Sequence, residues 1–129
     1  MYDRLNIIIP VYNEGANIAR TIESIDRKIR TPNDISIIYD FNEDDTLPVV
    51  RTIMKSRRNI TLVRNRFNRG VLNAIKTGFE HVSSGVVLVV MADLSDDLAA
   101  VDPMFAKINE GYDIVCGSRY MKGGAQAGG

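Results

Sequence analysis

Short apolar runs alternate along the chain with longer stretches in which apolar residues recur every three or four positions. Leu5 to Pro10 is a run of the first kind, and Pro10 closes it as a strand because proline cannot donate to a ladder. After a loop from Val11 to Gly15, in which Asn13 is a candidate N-cap, Ile18, Ile22, Ile25 and Ile29 keep one stripe at helical spacing. Thr31-Pro32-Asn33-Asp34 is a turn, and Ile35 to Tyr39 a second strand ending at Asp40. Asp45 or Thr46 then caps a second helix that turns Leu47, Val50 and Met54 inward. Asn59 to Val63 makes a third strand. A basic loop from Arg64 to Gly70 leads into a third helix, on which Leu72, Ile75, Phe79 and Val82 share one face.

Val86 to Val90 is the most apolar run, and it predicts a strand buried on both faces at the centre of a parallel sheet. It breaks at once into the carboxylates Asp93, Asp96 and Asp97. Asp102-Pro103 is predicted as N-cap and first position of a fourth helix with Phe105 and Ile108 inward, stopped by Gly111. Tyr112 to Cys116 is expected to be a fifth strand. Strand and helix in repeated alternation predict an α/β architecture with parallel strands and right-handed crossovers.

Composition narrows the function classes. The 129 residues suit one domain, and 16 basic against 16 acidic side chains leave no global field to draw the chain to nucleic acid or anionic lipid. The single cysteine, Cys116, excludes an internal disulfide and fits a reducing compartment. No signal peptide and no apolar run long enough to span a bilayer are evident. Residues 123–129 form a glycine-rich tail without a closing element. One domain over 1–122 is expected, as the front portion of something longer.

In open α/β sheets, ligands bind just beyond the carboxyl ends of the strands. Tyr12 and Glu14 follow the first strand, Asp40 the second and Asp93 the fourth, so the topology gathers them on one edge. Anionic oxygens there suit a divalent cation that neutralises phosphates. Asp93 is the strongest candidate, because a carboxylate directly behind a buried strand needs a partner. Each has a plainer reading: Asp40 as a turn former, Tyr12 as packing, Glu14 as a first-turn acid, Asp96 and Asp97 as turn formers. Arg69 and Lys76 could reach a phosphate, although helix lysines are usually solvated. His81 reads as a surface or helix-end residue, and Cys116 as core.

Four stretches then resemble the family 2 glycosyltransferases of GT-A fold, particularly polyprenyl-phosphate (dolichyl-phosphate) mannose or glucose synthases. They are Ile8 to Glu14; Ile37 to Asp40 with Asp44-Asp45-Thr46; Asn68-Arg69-Gly70 with Asn73-Ala74 and Lys76-Thr77-Gly78; and Asp93 with Gly117 to Gly124. The resemblance implies a three-layer α/β sandwich and a nucleotide site drawn from Pro10, Tyr12, Glu14, Ile38, Asp40 and Ala92. It further implies metal ligation at Asp93 and Ser95, with Mg2+ or Mn2+ bridging the donor diphosphate, and Asp93 and Arg119 as the catalytic pair. The sequence departs from the family where Met91-Ala92-Asp93 replaces Asp-Ala-Asp, since a thioether is a poor ligand for a hard cation. Ser95 stands where Gln is frequent, and Tyr39-Asp40 where Asp-Asp is common.

The function so implied is transfer of a hexose from a GDP-mannose or UDP-glucose type of donor to a polyprenyl or other lipid-linked phosphate. The setting implied is the cytoplasm, peripheral to a membrane reached through C-terminal segments. Nucleic acid is not an expected partner, and a homo-oligomer is left open. The alternative is a nucleotide-sugar-binding module without turnover, lacking the acceptor half. A nucleotidyltransferase ranks last, because Val11 to Gly15 is neither glycine-rich nor basic.

Overall fold

The computed structural model describes residues 2–82, 85–93 and 98–111. The expected fifth strand at 112–116 and the tail at 123–129 lie outside them. In chain order the elements are β1 (Leu5–Pro10), α1 (Ile18–Lys28), β2 (Asn33–Tyr39), α2 (Thr46–Met54), β3 (Ile60–Arg64), α3 (Val71–Val82), β4 (Val86–Val89) and α4 (Val101–Asn109), the last entered through a short 3-10 turn at Leu98–Ala100. The four strands lie in the order β3-β2-β1-β4 and every neighbouring pair is parallel.

Successive side chains of a strand point to opposite faces, and the two faces are filled differently. One carries Ile7, Ile9, Ile35 and Ile37 against Ile18, Ile22 and Ile25 of α1 and Val50 of α2, with Leu98 and Val101 at its margin. The other carries Ile8 and Ile38 against Ala74 of α3. Helices on both faces make this an α/β three-layer sandwich. The isoleucine stripe on α1 is buried as its spacing predicts, and Arg27 and Lys28 in its last turn suit the negative end of the helix dipole.

Two elements sit otherwise than apolar spacing alone suggests. Among the described residues β4 is an edge strand paired only with β1, and all four of its residues are half-buried. The strands buried on both faces are β1 and β2. On α3 the buried residues are Ala74, Thr77 and Gly78, while Leu72 is 79% and Phe79 50% exposed. Small residues win that face because α3 runs so close to β1 that a Cβ on Gly78 would lie 2.6 Å from Cγ2 of Ile8. A large side chain has no room there, so Leu72 and Phe79 stand outside, while Val82 packs against the cluster of Ile8, Ile38 and Ala74.

Asp45 is the N-cap of α2 as expected, and Asn17, not Asn13, is the N-cap of α1; neither makes a side-chain cap bond. In α4, Ala100 is the N-cap and Asp102 lies inside the first turn. Asp102 instead accepts hydrogen bonds from the N–H of Arg30 (2.9 Å) and from the N–H and hydroxyl of Thr31 (3.0 and 2.6 Å). Burial works against its ionisation, but these bonds and the charge of Arg30 outweigh it and hold the carboxyl below its usual range.

Candidate donor-binding site

All four strands run the same way, so their carboxyl ends open on one edge. The registers Pro10↔Ile38, Ile38↔Val63 and Ile8↔Val89 keep those ends level, and the bonds Val11 N–H to Ile38 O, Asn65 N–H to Tyr39 O and Val90 N–H to Ile8 O extend each ladder by a residue. Tyr12, Asp40 and Asp93 follow within a few residues. A cleft of about 210 Å³ opens on this edge, lined by Pro10, Tyr12, Glu14, Asp40, Gly70, Val71 and Met91. Residues far apart in the chain thus meet at one rim.

The loops after β1 and β2 are stitched together. Asn13 sits at φ +51°, in the left-handed region that asparagine tolerates. Four hydrogen bonds then join Asn13–Gly15 to Asp44–Thr46: Asn13 N–H to Asp44 Oδ2, Asp45 N–H to Asn13 Oδ1, Glu14 N–H to Thr46 Oγ1 and Gly15 N–H to Asp45 Oδ1, all between 2.8 and 3.1 Å. Asp44 is 1% exposed and its other oxygen accepts the N–H of Thr46 at 2.7 Å. The approach is so close that a Cβ on Gly15 would lie 2.7 Å from the Asp45 carbonyl oxygen. This seam holds Tyr12 out over the cleft, 61% exposed, its ring 5.6 Å from that of Phe41 and tilted by 60°. The guanidinium of Arg69 lies 4.9 Å from the Phe41 ring centroid, completing an aromatic and cationic rim.

Asp40 faces the cleft while latching the basic loop. Its Oδ1 accepts from Asn65 Nδ2 at 2.7 Å and its Oδ2 from the Gly70 N–H at 3.3 Å. Asn65 is a buried hub, its Oδ1 accepting from the Phe67 N–H and the Thr77 hydroxyl, both at 3.0 Å. Sequence reasoning missed Asn65 and Phe41 as parts of the site. No local pattern marks them, because the partners of Asn65 lie 25 and 12 residues away in the chain.

Of the expected nucleotide residues, Pro10, Tyr12, Glu14 and Asp40 line the cleft together. Ile38 and Ala92 are 0% and 2% exposed, so their side chains sit in the core and support the rim from behind. The Ala92 carbonyl lies 3.2 Å from the buried hydroxyl of Thr21, which ties the segment after β4 to α1. Met91 lines the cleft where an oxygen ligand would be expected, and Asp93 beyond it is exposed. Lys76 is not in the cleft lining; its ammonium stands 4.6 Å over the Phe67 ring. His81 is exposed at the end of α3. Ser95, Asp96, Asp97, Cys116 and Arg119 lie outside the described residues. Among the described residues, no three His, Cys, Asp or Glu side chains gather where a metal ion could be held, and no helix is long and apolar enough to cross a membrane.

Comparison with known proteins agrees with this architecture. Residues 6–127 match the model of glycosyl transferase family 2. The chain is 29% identical over 121 residues to a dolichol-phosphate mannosyltransferase of Pyrococcus furiosus, covering 94% of this chain and 34% of that protein. It is 31% identical over 119 residues to an undecaprenyl-phosphate 4-deoxy-4-formamido-L-arabinose transferase of Shewanella sediminis, covering 88% of this chain and 35% of the relative. The chain therefore spans about a third of the length of the relatives it matches. Among solved structures, a mannosyltransferase of Pyrobaculum calidifontis in complex with GDP-Man and Mn2+ superposes with a TM-score of 0.62 at 24% identity, over 72% of this chain and 28% of that one, a likeness of GT-A fold. On the extent of the family match, this chain belongs to glycosyl transferase family 2.

Proposed function

We propose that the chain is the donor-binding part of a hexosyltransferase that moves a sugar from a nucleoside diphosphate of the GDP-mannose or UDP-glucose type to a polyprenyl phosphate. The observation that carries the reading is the convergence of Pro10, Tyr12, Glu14 and Asp40 on one cleft, with Met91 in its wall and Asp93 two residues on. An exposed aromatic ring and a carboxylate with lone pairs to spare suit a nucleobase, which offers a π-face and N–H donors. Relatives named for dolichol-phosphate and undecaprenyl-phosphate support the lipid-phosphate acceptor.

The residues present fit a divalent cation in a limited way. A magnesium-like ion is commonly held by one or two carboxylates plus substrate phosphates and water. Asp93 would supply the protein oxygen, with Ser95 as a second candidate; Met91 would not contribute. When bound, such an ion supplies charge neutralisation for the diphosphate. The protein's own part is to orient the base through Tyr12 and Asp40, and to stabilise the leaving diphosphate through Arg119. An acceptor phosphate oxygen is already anionic, so a general base is not required of this chain.

Calorimetric titration with GDP, UDP and their sugars, with and without manganese, tests the reading. Asp40→Ala should weaken nucleotide binding with or without manganese, whereas Asp93→Ala should weaken only the manganese-dependent part, and by more than Asp97→Ala. Absence of binding to every nucleotide would overturn the proposal. A binding module without turnover is the second reading, favoured by Met91 standing in the cleft wall where an oxygen ligand would be expected. Donor binding without transfer to a polyprenyl phosphate would select it.

A further inference from the structure

α3 buries small residues and leaves several of its large apolar ones exposed. Its core-facing side is small, at Ala74, Thr77 and Gly78. Three of its large apolar residues are exposed, Val71 46%, Leu72 79% and Phe79 50%, and Phe67 in the preceding loop is 39% exposed. Leu72, Ile75 and Phe79 follow at steps of three and four, so the exposed Leu72 and Phe79 form a ridge beside the half-buried Ile75, while Val82 packs against the core. Isolated exposed apolar residues are ordinary, but a contiguous ridge indicates something to be covered.

The helix and the loop before it are rich in cations, of which Arg66 pairs with Glu80 and Lys76 lies over Phe67. Arg64, Arg66, Arg69 and Lys76 are all exposed, and the Lys76 ammonium lies 4.6 Å over the exposed Phe67 ring. Residues 64–82 hold these four cations against one carboxylate, Glu80, which pairs with Arg66 at 3.6 Å, in a chain that balances 16 against 16 overall. We propose that the outward ridge of α3 and the basic loop before it form a surface that lies on an anionic lipid bilayer.

The chemistry favours a bilayer over a protein partner. Apolar and aromatic side chains flanked by lysine and arginine are what interfacial segments present, the apolar groups entering the headgroup boundary while the cations meet anionic lipid. The surface is also continuous with the donor cleft, since Gly70, Val71 and Ala74 line it from the first turn of α3. A polyprenyl phosphate is confined to the bilayer, so a donor site at the headgroup plane shortens its path. In that respect the inference rests on the proposed acceptor.

Co-sedimentation of the 129-residue chain with vesicles tests it. The chain should partition onto equimolar phosphatidylcholine and phosphatidylglycerol, and about tenfold less onto phosphatidylcholine alone. Leu72→Ser with Phe79→Ser should weaken partition about tenfold. Arg66→Gln with Lys76→Gln should weaken it and flatten its salt dependence. Leu72 and Phe79 lie outside the cleft, so the double serine variant should keep its thermal midpoint and its nucleotide affinity without vesicles; Leu72→Ser alone serves if the double variant unfolds. No partition, or partition that the serine variants leave intact, overturns the proposal. So does lipid-free self-association that those variants abolish, which would make the ridge a contact between copies. Nucleotide binding without vesicle partition sinks this inference alone; vesicle partition without nucleotide binding sinks only the proposed function.

Discussion

The two faces of the sheet teach different things about how this chain spends its apolar residues. On the α1–α2 face large side chains meet large side chains: Ile7, Ile9 and Ile37 of the strands are fully buried against Ile18, Ile25 and Val50. On the α3 face the helix contributes Ala74, Thr77 and Gly78 to meet Ile8 and Ile38, with Ile8 directly against Gly78. The first face is stabilised by volume, the second by proximity of backbones. The consequence reaches the site. Close approach of α3 brings Thr77 within 3.0 Å of Asn65, and Asn65 in turn holds Asp40 at the cleft.

That contrast can be broken at several points. The largest effect is expected on the densely filled face: Ile37→Ala should cost about 4 kcal/mol in chemical denaturation, as a buried branched side chain leaves a cavity. A cost below about 1 kcal/mol would show that the face collapses around the gap. Asp44→Ala should cost about 3 kcal/mol, because the N–H groups of Asn13 and Thr46 lose their acceptor in a buried seam. The same variant should weaken nucleotide binding by releasing Tyr12, which calorimetry would read.

Gly78→Val probes proximity on the second face. It should destabilise by about 2 kcal/mol, since its Cβ meets Ile8 and Ile8 has no free space to enter. A neutral result would mean that α3 can slide outward. Asp102→Asn is expected to cost about 1 kcal/mol at neutral pH through weaker acceptance from Arg30 and Thr31. Asp102 has its folded pKa lowered, so its contribution is present above the unfolded value of about 4 and is lost as pH falls through the folded one. Parent and variant should therefore converge in stability in strong acid and diverge as pH rises through that range. Leu72→Ala should be the smallest, within about 0.5 kcal/mol, because its side chain already stands in water.

Periodicity was sufficient wherever a segment had one apolar face and met a partner able to take it. The α1 stripe, the limits of β1 and the strand–helix alternation follow from spacing alone, and the Pro-Val-Tyr-Asn-Glu and Asp40 stretches already pointed to one edge. Spacing could not say which way α3 faces. Its apolar stripe is as regular as that of α1, and the decision lies in the distance between Gly78 and Ile8, a contact across 70 residues of chain that no window contains. Nor could it place β4 at an edge among the described residues, because apolar runs look alike whether one neighbour strand or two receive them. The seam of Asp44 with Asn13 and the hub at Asn65 belong to the same class. Hydrogen bonds between distant loops depend on strand order and register, which only the folded sheet supplies.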